Sequence, residues 1–346
     1  AVAAMHAYVP GEQPQIEGLV KLNTNENPYP PSPAVLEAIR SVGEARVAKY
    51  PEPRSIKLRE AVAESLGLTP AQVLAGNGSD EILKLFAEVY VNPGDKIAYL
   101  WPTYSLYPVF AAKAAAEEVR LPWLAEDKSQ EAALEGTPQD TRLAYITNPN
   151  PPVGLPVSVD AIERFALARP ETMVVVDEAY IAYGGESAAR LVRAGIPNVA
   201  ISRTFSKSHS LAGLRVGFAL AGEEVVSLLD RVRDSYNLNV LSQEGALAAW
   251  TDAAYTDDRV ARIKATRQRV RHALLELGFD VPESAGNFLF ARNPRAADVF
   301  AALRENKILV RYFNTPELSN GIRITIGTDA QMDRALDVLK QRTWEP

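Results

Sequence analysis

Between about Val73 and Leu220 the chain alternates short, almost unbroken apolar runs with amphipathic stretches of helical period, and few architectures can absorb that pattern. The runs fall at residues 96–100, 118–121, 142–147, 172–177, 199–203 and 216–221. A strand with one wet face alternates polar and apolar residues; most of these do not, so both faces must be covered. Intervening helices such as residues 160–168 supply the cover, which predicts an α/β domain with a mostly parallel, doubly wound sheet. Residues 223–234 and 259–277 read as helices, the second long enough to bridge two lobes. Beyond Gly278 the pattern changes to strands at 288–291, 308–313 and 321–326 with helices at 296–305 and 330–341, a smaller α+β unit. The first 40 residues are rich in proline and asparagine and hold one short helix, 33–41. The expected division is therefore an N-terminal segment, 1–40, joining the small domain; a large domain, 41–245; and a small C-terminal domain, 246–346.

Composition narrows the function. A formal net charge of -6, from 43 acidic against 37 basic residues, disfavours a nucleic-acid partner. With no cysteine, disulfides, zinc–thiolate sites and thiol catalysis are out, and a cytoplasmic location is expected. His6, His209 and His272 are too scattered for a metal cluster. No run approaches the roughly 20 apolar residues of a membrane span, and no basic-then-apolar leader opens the sequence.

The chemistry-bearing residues gather where strands end. Asp177 closes the apolar run Met173-Val174-Val175-Val176, at the carboxyl edge where open α/β sheets bind ligands. A buried carboxylate needs a partner, and a protonated pyridine nitrogen is one; a loop-capping aspartate is the competing reading. Tyr180 follows, readable as a donor to a phenolic oxygen or as a core tyrosine. Lys207 sits in Arg203-Thr204-Phe205-Ser206-Lys207, with Arg215 close behind in Leu214-Arg215. Lysine is usually a solvated surface residue, but this one is crowded by hydroxyls and an arginine. Lysine, hydroxyl, arginine and a strand-end aspartate suit pyridoxal 5'-phosphate, an aldehyde cofactor held as a lysine Schiff base. Gly76-Asn77-Gly78-Ser79-Asp80 turns straight into a helix, whose first amides bind phosphate. Asp80 and Glu81 would have to turn their charges away, and Ser79 reads equally as an N-cap. Tyr104 follows a strand and either lies on the cofactor ring or joins the core. Arg311 and Arg323 lie on strands, suited to clamp a carboxylate or phosphate; a surface salt bridge is the alternative.

Taken together, these segments resemble the fold-type I pyridoxal phosphate aminotransferases, and the chain is similar to the histidinol-phosphate aminotransferase family from about Lys21 to Arg342. The likeness runs through Lys21-Leu22-Asn23-Thr24-Asn25-Glu26-Asn27-Pro28-Tyr29, Tyr50-Pro51-Glu52-Pro53, the loop from Gly76 to Glu81, Pro102-Thr103-Tyr104, Asp177 to Tyr180, Thr204 to Lys207, Ile308-Leu309-Val310-Arg311 and Arg323-Ile324-Thr325-Ile326-Gly327-Thr328. The resemblance implies that Lys207 carries the cofactor, Asp177 pairs with its ring nitrogen, Tyr180 with its phenolic oxygen, and Tyr104 stacks. It implies a phosphate site of Gly78, Ser79, Asp80 (by its amide), Thr204, Ser206 and Arg215. Tyr50 would reach a partner subunit's cofactor across a homodimer interface, and Arg311 and Arg323 with Asn27 or Tyr29 would take the substrate.

Two departures stand out. The family's loop usually reads Asn-Pro-Asn-Asn-Pro-Thr-Gly, whereas here it is Asn148-Pro149-Asn150-Pro151-Pro152-Val153-Gly154. The asparagine that touches the phenolic oxygen is thus replaced by Pro151, and Asn150 is expected to take its role. Ser208-His209-Ser210 follows the lysine where Ala-Phe-Gly is common; His209 reads as structural.

The expected activity is transamination between L-histidinol phosphate and 2-oxoglutarate, in histidine biosynthesis, with ping-pong kinetics. An aromatic amino-acid aminotransferase and, further off, a phosphothreonine decarboxylase share the scaffold. A cofactor binder without turnover remains as a non-enzyme reading. A nicotinamide-dependent dehydrogenase lacks its Gly-x-Gly-x-x-Gly.

Overall fold

The computed structural model describes residues 11–124 and 129–344; His6 and the first ten residues of the expected N-terminal segment lie outside them. Among the described residues twelve strands are formed: β1 (Val20–Lys21), β2 (Val73–Gly76), β3 (Lys96–Trp101), β4 (Glu117–Pro122), β5 (Thr141–Thr147), β6 (Met173–Asp177), β7 (Val199–Thr204), β8 (Gly217–Leu220), β9 (Phe288–Arg292), β10 (Ile308–Leu309), β11 (Arg311–Tyr312) and β12 (Gly321–Thr325). Seven of them make one sheet in the order β2-β8-β7-β6-β5-β3-β4. Pairing is parallel from β4 through β7, and β8 alone runs antiparallel to both neighbours.

The unbroken apolar runs are explained by the two cores they serve. On β6, Val174 and Val176 face one core while Met173 and Val175 face the other. On β5, Ala144 and Ile146 join the first and Leu143 and Tyr145 the second. Side chains alternate across a strand, so a sheet clad on both faces needs apolar residues at every position. Carboxylates are tolerated only where the strand ends, and Asp177 is that end of β6.

A third core lies around the antiparallel sheet β11-β12-β9 and the helices Ala253–Glu276, Ala296–Glu305 and Asp329–Lys340. Val260, Ile263, Val270 and Leu274 of the long helix belong to it. Tyr180 and Tyr183, just past β6, also belong to it, so the strand that carries Asp177 runs directly into the junction of the two cores. The N-terminal segment divides: Val20 and Leu22 join this third core, with β1 paired to β10, while Val35 of helix Pro33–Arg40 joins the large one. Helix Val240–Thr251 is unbroken across residue 245 and places Ala246 and Ala249 in the large core. The expected strand 308–313 is split at Val310, because β10 pairs with β1 while β11 turns to pair with β12.

One glycine fixes the floor of the site. A Cβ on Gly217 would fall 2.5 Å from the Ser79 amide nitrogen, so only glycine lets β8 pass under the start of helix Ser79–Tyr90. Among the described residues no helix is long and apolar enough to cross a membrane, and no three potential metal ligands cluster.

Candidate active site

A cavity of about 520 Å³ opens above the carboxyl ends of the parallel strands, walled by the small sheet and by residues 23–26. It is lined by Ser79, Asp80, Tyr104, Asp177, Tyr180, Thr204, Ser206, Lys207, Arg215, Arg311 and Arg323, so eleven of the expected site residues converge.

Asp177 is 3% exposed. Its Oδ1 accepts from the Ala179 amide at 3.2 Å and its Oδ2 from the Tyr107 hydroxyl at 3.0 Å. Burial pushes the carboxyl up to about 7, against the pull of the Tyr107 hydrogen bond. An acid held this far from water, facing a cavity and without an ion pair among the described residues, suits a cationic ligand group. Tyr107 in turn shares a hydrogen bond with Thr147 at 2.6 Å and stacks on Tyr145 with ring centroids 4.6 Å apart.

Lys207 donates from Nζ to the Thr24 carbonyl at 3.2 Å, and its amine lies 5.8 Å from the centre of the Tyr180 ring. Desolvation, reinforced by the positive charge of Arg323, lowers its pKa to about 8. A neutral amine, able to attack a carbonyl or take a proton, is thereby populated near neutral pH. Tyr180 accepts a hydrogen bond from Asn25 Nδ2 at 3.0 Å.

The loop before helix Ser79–Tyr90 is pinned by Glu81, which accepts from the Asn77 amide and from Asn237 Nδ2 at 2.8 Å. Glu81 is thus turned back as expected. Asp80 is not: its carboxylate reaches across to the Tyr104 hydroxyl at 2.9 Å and to Arg215 Nη2 at 3.1 Å. Gly78 is the helix cap, with φ +82, and a Cβ there would stand 2.6 Å from Arg215 Nη2. Glycine therefore serves to admit the arginine rather than to line the cavity. Arg215 itself holds φ +52, a conformation costing a non-glycine residue of order 1–3 kcal/mol, and so is held in place by its surroundings. Ser206 Oγ accepts from Thr204 Oγ1 at 3.0 Å and from Arg215 Nη1 at 3.4 Å. Helix-start amides, two hydroxyls and a guanidinium make a fit place for a phosphate.

Arg311 and Arg323 stand directly opposite each other in the β11–β12 register, both near the Phe313 ring. Two guanidinium groups on adjacent strands at one cavity suit an anion such as a phosphate or carboxylate.

Besides Gly78, four expected site residues do not line this chain's cavity. Asn150 is fully buried: it donates to Gln130 Oε1 at 2.8 Å and to the Pro102 carbonyl, and accepts from Thr103 at 2.6 Å. Those bonds engage its amide within the chain, and Pro151 and Pro152 line the cavity where Asn150 does not. Asn27 donates to the carbonyls of Lys207 and Ser208 at 3.2 and 3.1 Å, bracing the lysine loop from behind. Tyr29 turns its ring toward Arg259, 5.4 Å away. Tyr50 is 81% exposed and stacks on Tyr236. His209 packs between Phe205 and Trp250, and burial, then Arg203, lowers it to about 4.

Sequence reasoning missed Tyr107, Thr147 and Asn25. Tyr107 carried a faint signal, one helical turn past Tyr104; Asn25 sat inside a quoted motif with nothing to distinguish it from Asn23 or Asn27.

Comparison with known proteins agrees with this geometry. Residues 17–339 match the family model for aminotransferases of class I and II. Histidinol-phosphate aminotransferase 1 of Bradyrhizobium diazoefficiens is 42% identical, covering 98% of this chain and 97% of that protein. Histidinol-phosphate aminotransferase 2 of Thiobacillus denitrificans is 43% identical, with 98% and 96% covered. The structure of histidinol-phosphate aminotransferase from Sinorhizobium meliloti, in complex with pyridoxal-5'-phosphate, superposes with a TM-score of 0.85 at 27% identity, covering 93% of this chain and 91% of that one. With a strand-end acid, a cleft lysine and a helix-start anion site already in place, these similarities settle the family: the chain belongs to the class I and II aminotransferases, among the histidinol-phosphate aminotransferases.

Proposed function

We propose that the protein transfers an amino group between L-histidinol phosphate and 2-oxoglutarate, using pyridoxal 5'-phosphate bound to Lys207. The observation that carries this reading is the pair Arg311 and Arg323, opposed across two strands in the same cavity as Lys207 and the buried Asp177. One cationic clamp serves both the phosphate of the donor and the carboxylate of the acceptor. The names and near-complete coverage of the bacterial relatives support the choice of donor.

When bound, the cofactor supplies an aldehyde to carry the amino group and a protonated ring that accepts electrons from the substrate carbon. The chain's own residues do the rest. Lys207 would hold the cofactor between turnovers and, once displaced as a neutral amine, would take a proton from the substrate's α carbon and deliver it to the carbon that was the cofactor's aldehyde. Asp177, as the anion, would keep the ring nitrogen protonated, and the Tyr107 and Ala179 donors favour that anion against the effect of burial. Tyr180 donates to the phenolic oxygen. Ser206, Arg215, Thr204 and the amides of Ser79 and Asp80 hold the phosphate, and Tyr104 offers a ring face.

The active unit in this reading is a homodimer. Val47 and Tyr50 are 62% and 81% exposed, a wasteful arrangement for a monomer and a natural one for a surface covered by a second copy, whose cofactor phosphate Tyr50 would meet.

A donor panel tests the proposal. Histidinol phosphate, phenylalanine and phosphothreonine are each offered in single turnover while the cofactor's absorbance is followed, with 2-oxoglutarate as acceptor. Fastest conversion with histidinol phosphate upholds it. Preference for phenylalanine makes the protein an aromatic aminotransferase, and carbon dioxide release from phosphothreonine makes it a decarboxylase.

A further inference from the structure

We propose that Asn25 is a positioning residue that aims the Tyr180 hydroxyl proton into the cavity, with Thr325 fixing which way the Asn25 amide points. The inference rests on the reading of the cavity as a pyridoxal phosphate site and assigns a role to residues outside the set that touches the cofactor.

Asn25 is 1% exposed and holds φ +55, and its polar groups are bonded on every side. Its backbone amide donates to Thr325 Oγ1 at 3.0 Å, and its carbonyl accepts from Asn287 Nδ2 at 3.0 Å. Because the Thr325 oxygen receives that amide proton, its own hydroxyl proton goes to Asn25 Oδ1, 3.0 Å away. The carboxamide oxygen is therefore pinned toward β12, and the NH2 end must face Tyr180, which it does at 3.0 Å. A phenol has one proton. With its oxygen already accepting from Asn25, Tyr180 keeps that proton for an acceptor on its other side, and that side is the cavity. Without Asn25 nothing would choose between a hydroxyl that gives and one that receives.

The neighbours of Asn25 extend the same strip. The Asn23 carbonyl accepts from Arg323 Nη2 at 2.7 Å, and the Thr24 carbonyl accepts from Lys207 Nζ at 3.2 Å. Three consecutive residues thus touch the anion-site arginine, the lysine and the tyrosine. Arg323 and Thr325 lie on one face of β12, so the strand that meets the substrate anion also sets the Asn25 amide.

The test uses the cofactor-loaded protein and reads the pKa of its visible absorption band, together with the cofactor dissociation constant. Asn25→Gly deletes the amide without adding charge, and glycine accepts the positive φ freely. The expected result is an upward shift of the band's pKa by about one unit, a tenfold change in the protonation equilibrium, because the phenolic oxygen loses its donor. The charged groups around Tyr180 (Lys207, Arg323, Asp177 and Asp80) are unaltered by this change. In a Tyr180→Phe background the same substitution should add nothing. Thr325→Val, which frees the amide to flip, should shift the band in the same direction by less, and it decides the matter if Asn25→Gly does not fold. A wild-type pKa in Asn25→Gly or, failing that variant, in Thr325→Val overturns the proposal, as does a shift that persists undiminished without the Tyr180 hydroxyl. Absence of any visible band in the unmutated protein would instead overturn the cofactor reading beneath it.

Discussion

The floor of the cavity and its wall are built on opposite electrostatic plans. On the large-sheet side the acids other than Asp177 are matched within the chain. Glu178 accepts from Arg203 at 2.9 Å, and Asp80 pairs with Arg215 at 3.1 Å. Away from the cavity, Asp230 holds the fully buried Arg59 at 2.7 Å. On the small-sheet side two arginines are set against each other across neighbouring strands. The floor leaves only the buried Asp177 carboxyl without an ion pair among these acids, at the place where a cationic ligand group would sit. The wall presents two guanidinium groups from neighbouring strands to the same cavity, so binding energy there tracks the incoming anion.

Four substitutions sharpen or break that contrast. The largest effect belongs to the floor: Lys207→Ala should cut turnover by at least about 10⁴-fold while leaving the fold intact, since it removes both attachment and proton transfer. A variant with comparable activity in a steady-state assay breaks the scheme. Next comes the buried ion pair of Arg59 and Asp230. Burial alone would raise Asp230, but hydrogen bonds from Arg59 and Arg233 hold it down to about 2. Asp230→Ala leaves the Arg59 charge buried and should lose about 3–5 kcal/mol of stability by urea unfolding. The sign with pH follows from the depressed value: this contribution is complete above about pH 4 and fades as pH falls toward 2.

On the wall, Arg323→Gln should lower kcat/KM for a phosphate-bearing donor on the order of 10–100-fold, as expected for a lost charged hydrogen bond. It should also move the pH profile. Arg323 helps hold the free Lys207 amine near 8, so its removal must raise that pKa. The rate at which the cofactor-free protein captures the aldehyde then begins its rise at higher pH. An unchanged profile would place Arg323 outside electrostatic reach of the lysine. The smallest effect is expected from Tyr107→Phe, which keeps the stack on Tyr145 and removes one donor from Asp177. Asp177 should then rise above about 7 and the cofactor dissociation constant should grow by about tenfold. Equal affinity would mean that the Ala179 amide suffices.

The floor was far more legible in the sequence than the wall. β6 and β7 announce themselves as apolar runs ending in Asp177 and Thr204, and such strands set their last residues at one edge by register alone. Lys207 and Arg215 follow within the same loop, so chain proximity stood in for spatial proximity. Asn150 shows where that shortcut fails: the loop order suggested a facing amide, but Gln130, on a distant helix, turns it inward. The wall assembles residues about 300 positions apart, Asn25 with Thr325 and Asn23 with Arg323, and no local period carries such pairing. Asn27, Asn25 and Asn23 are alike by type; only the fold assigns one to the lysine loop, one to Tyr180 and one to Arg323. The split of residues 308–313 at Val310 was hidden for the same reason, since the change of partner strand comes from β1 and β12.

The central claim is that the Lys207 amine is the attachment point for pyridoxal 5'-phosphate. Borohydride reduction of the yellow protein, followed by peptide mapping, tests it most directly. The account predicts one stable pyridoxyl adduct, on the peptide that spans Ser206 to Arg215. An adduct on another lysine, or none in a protein that still turns over its donor, would contradict it.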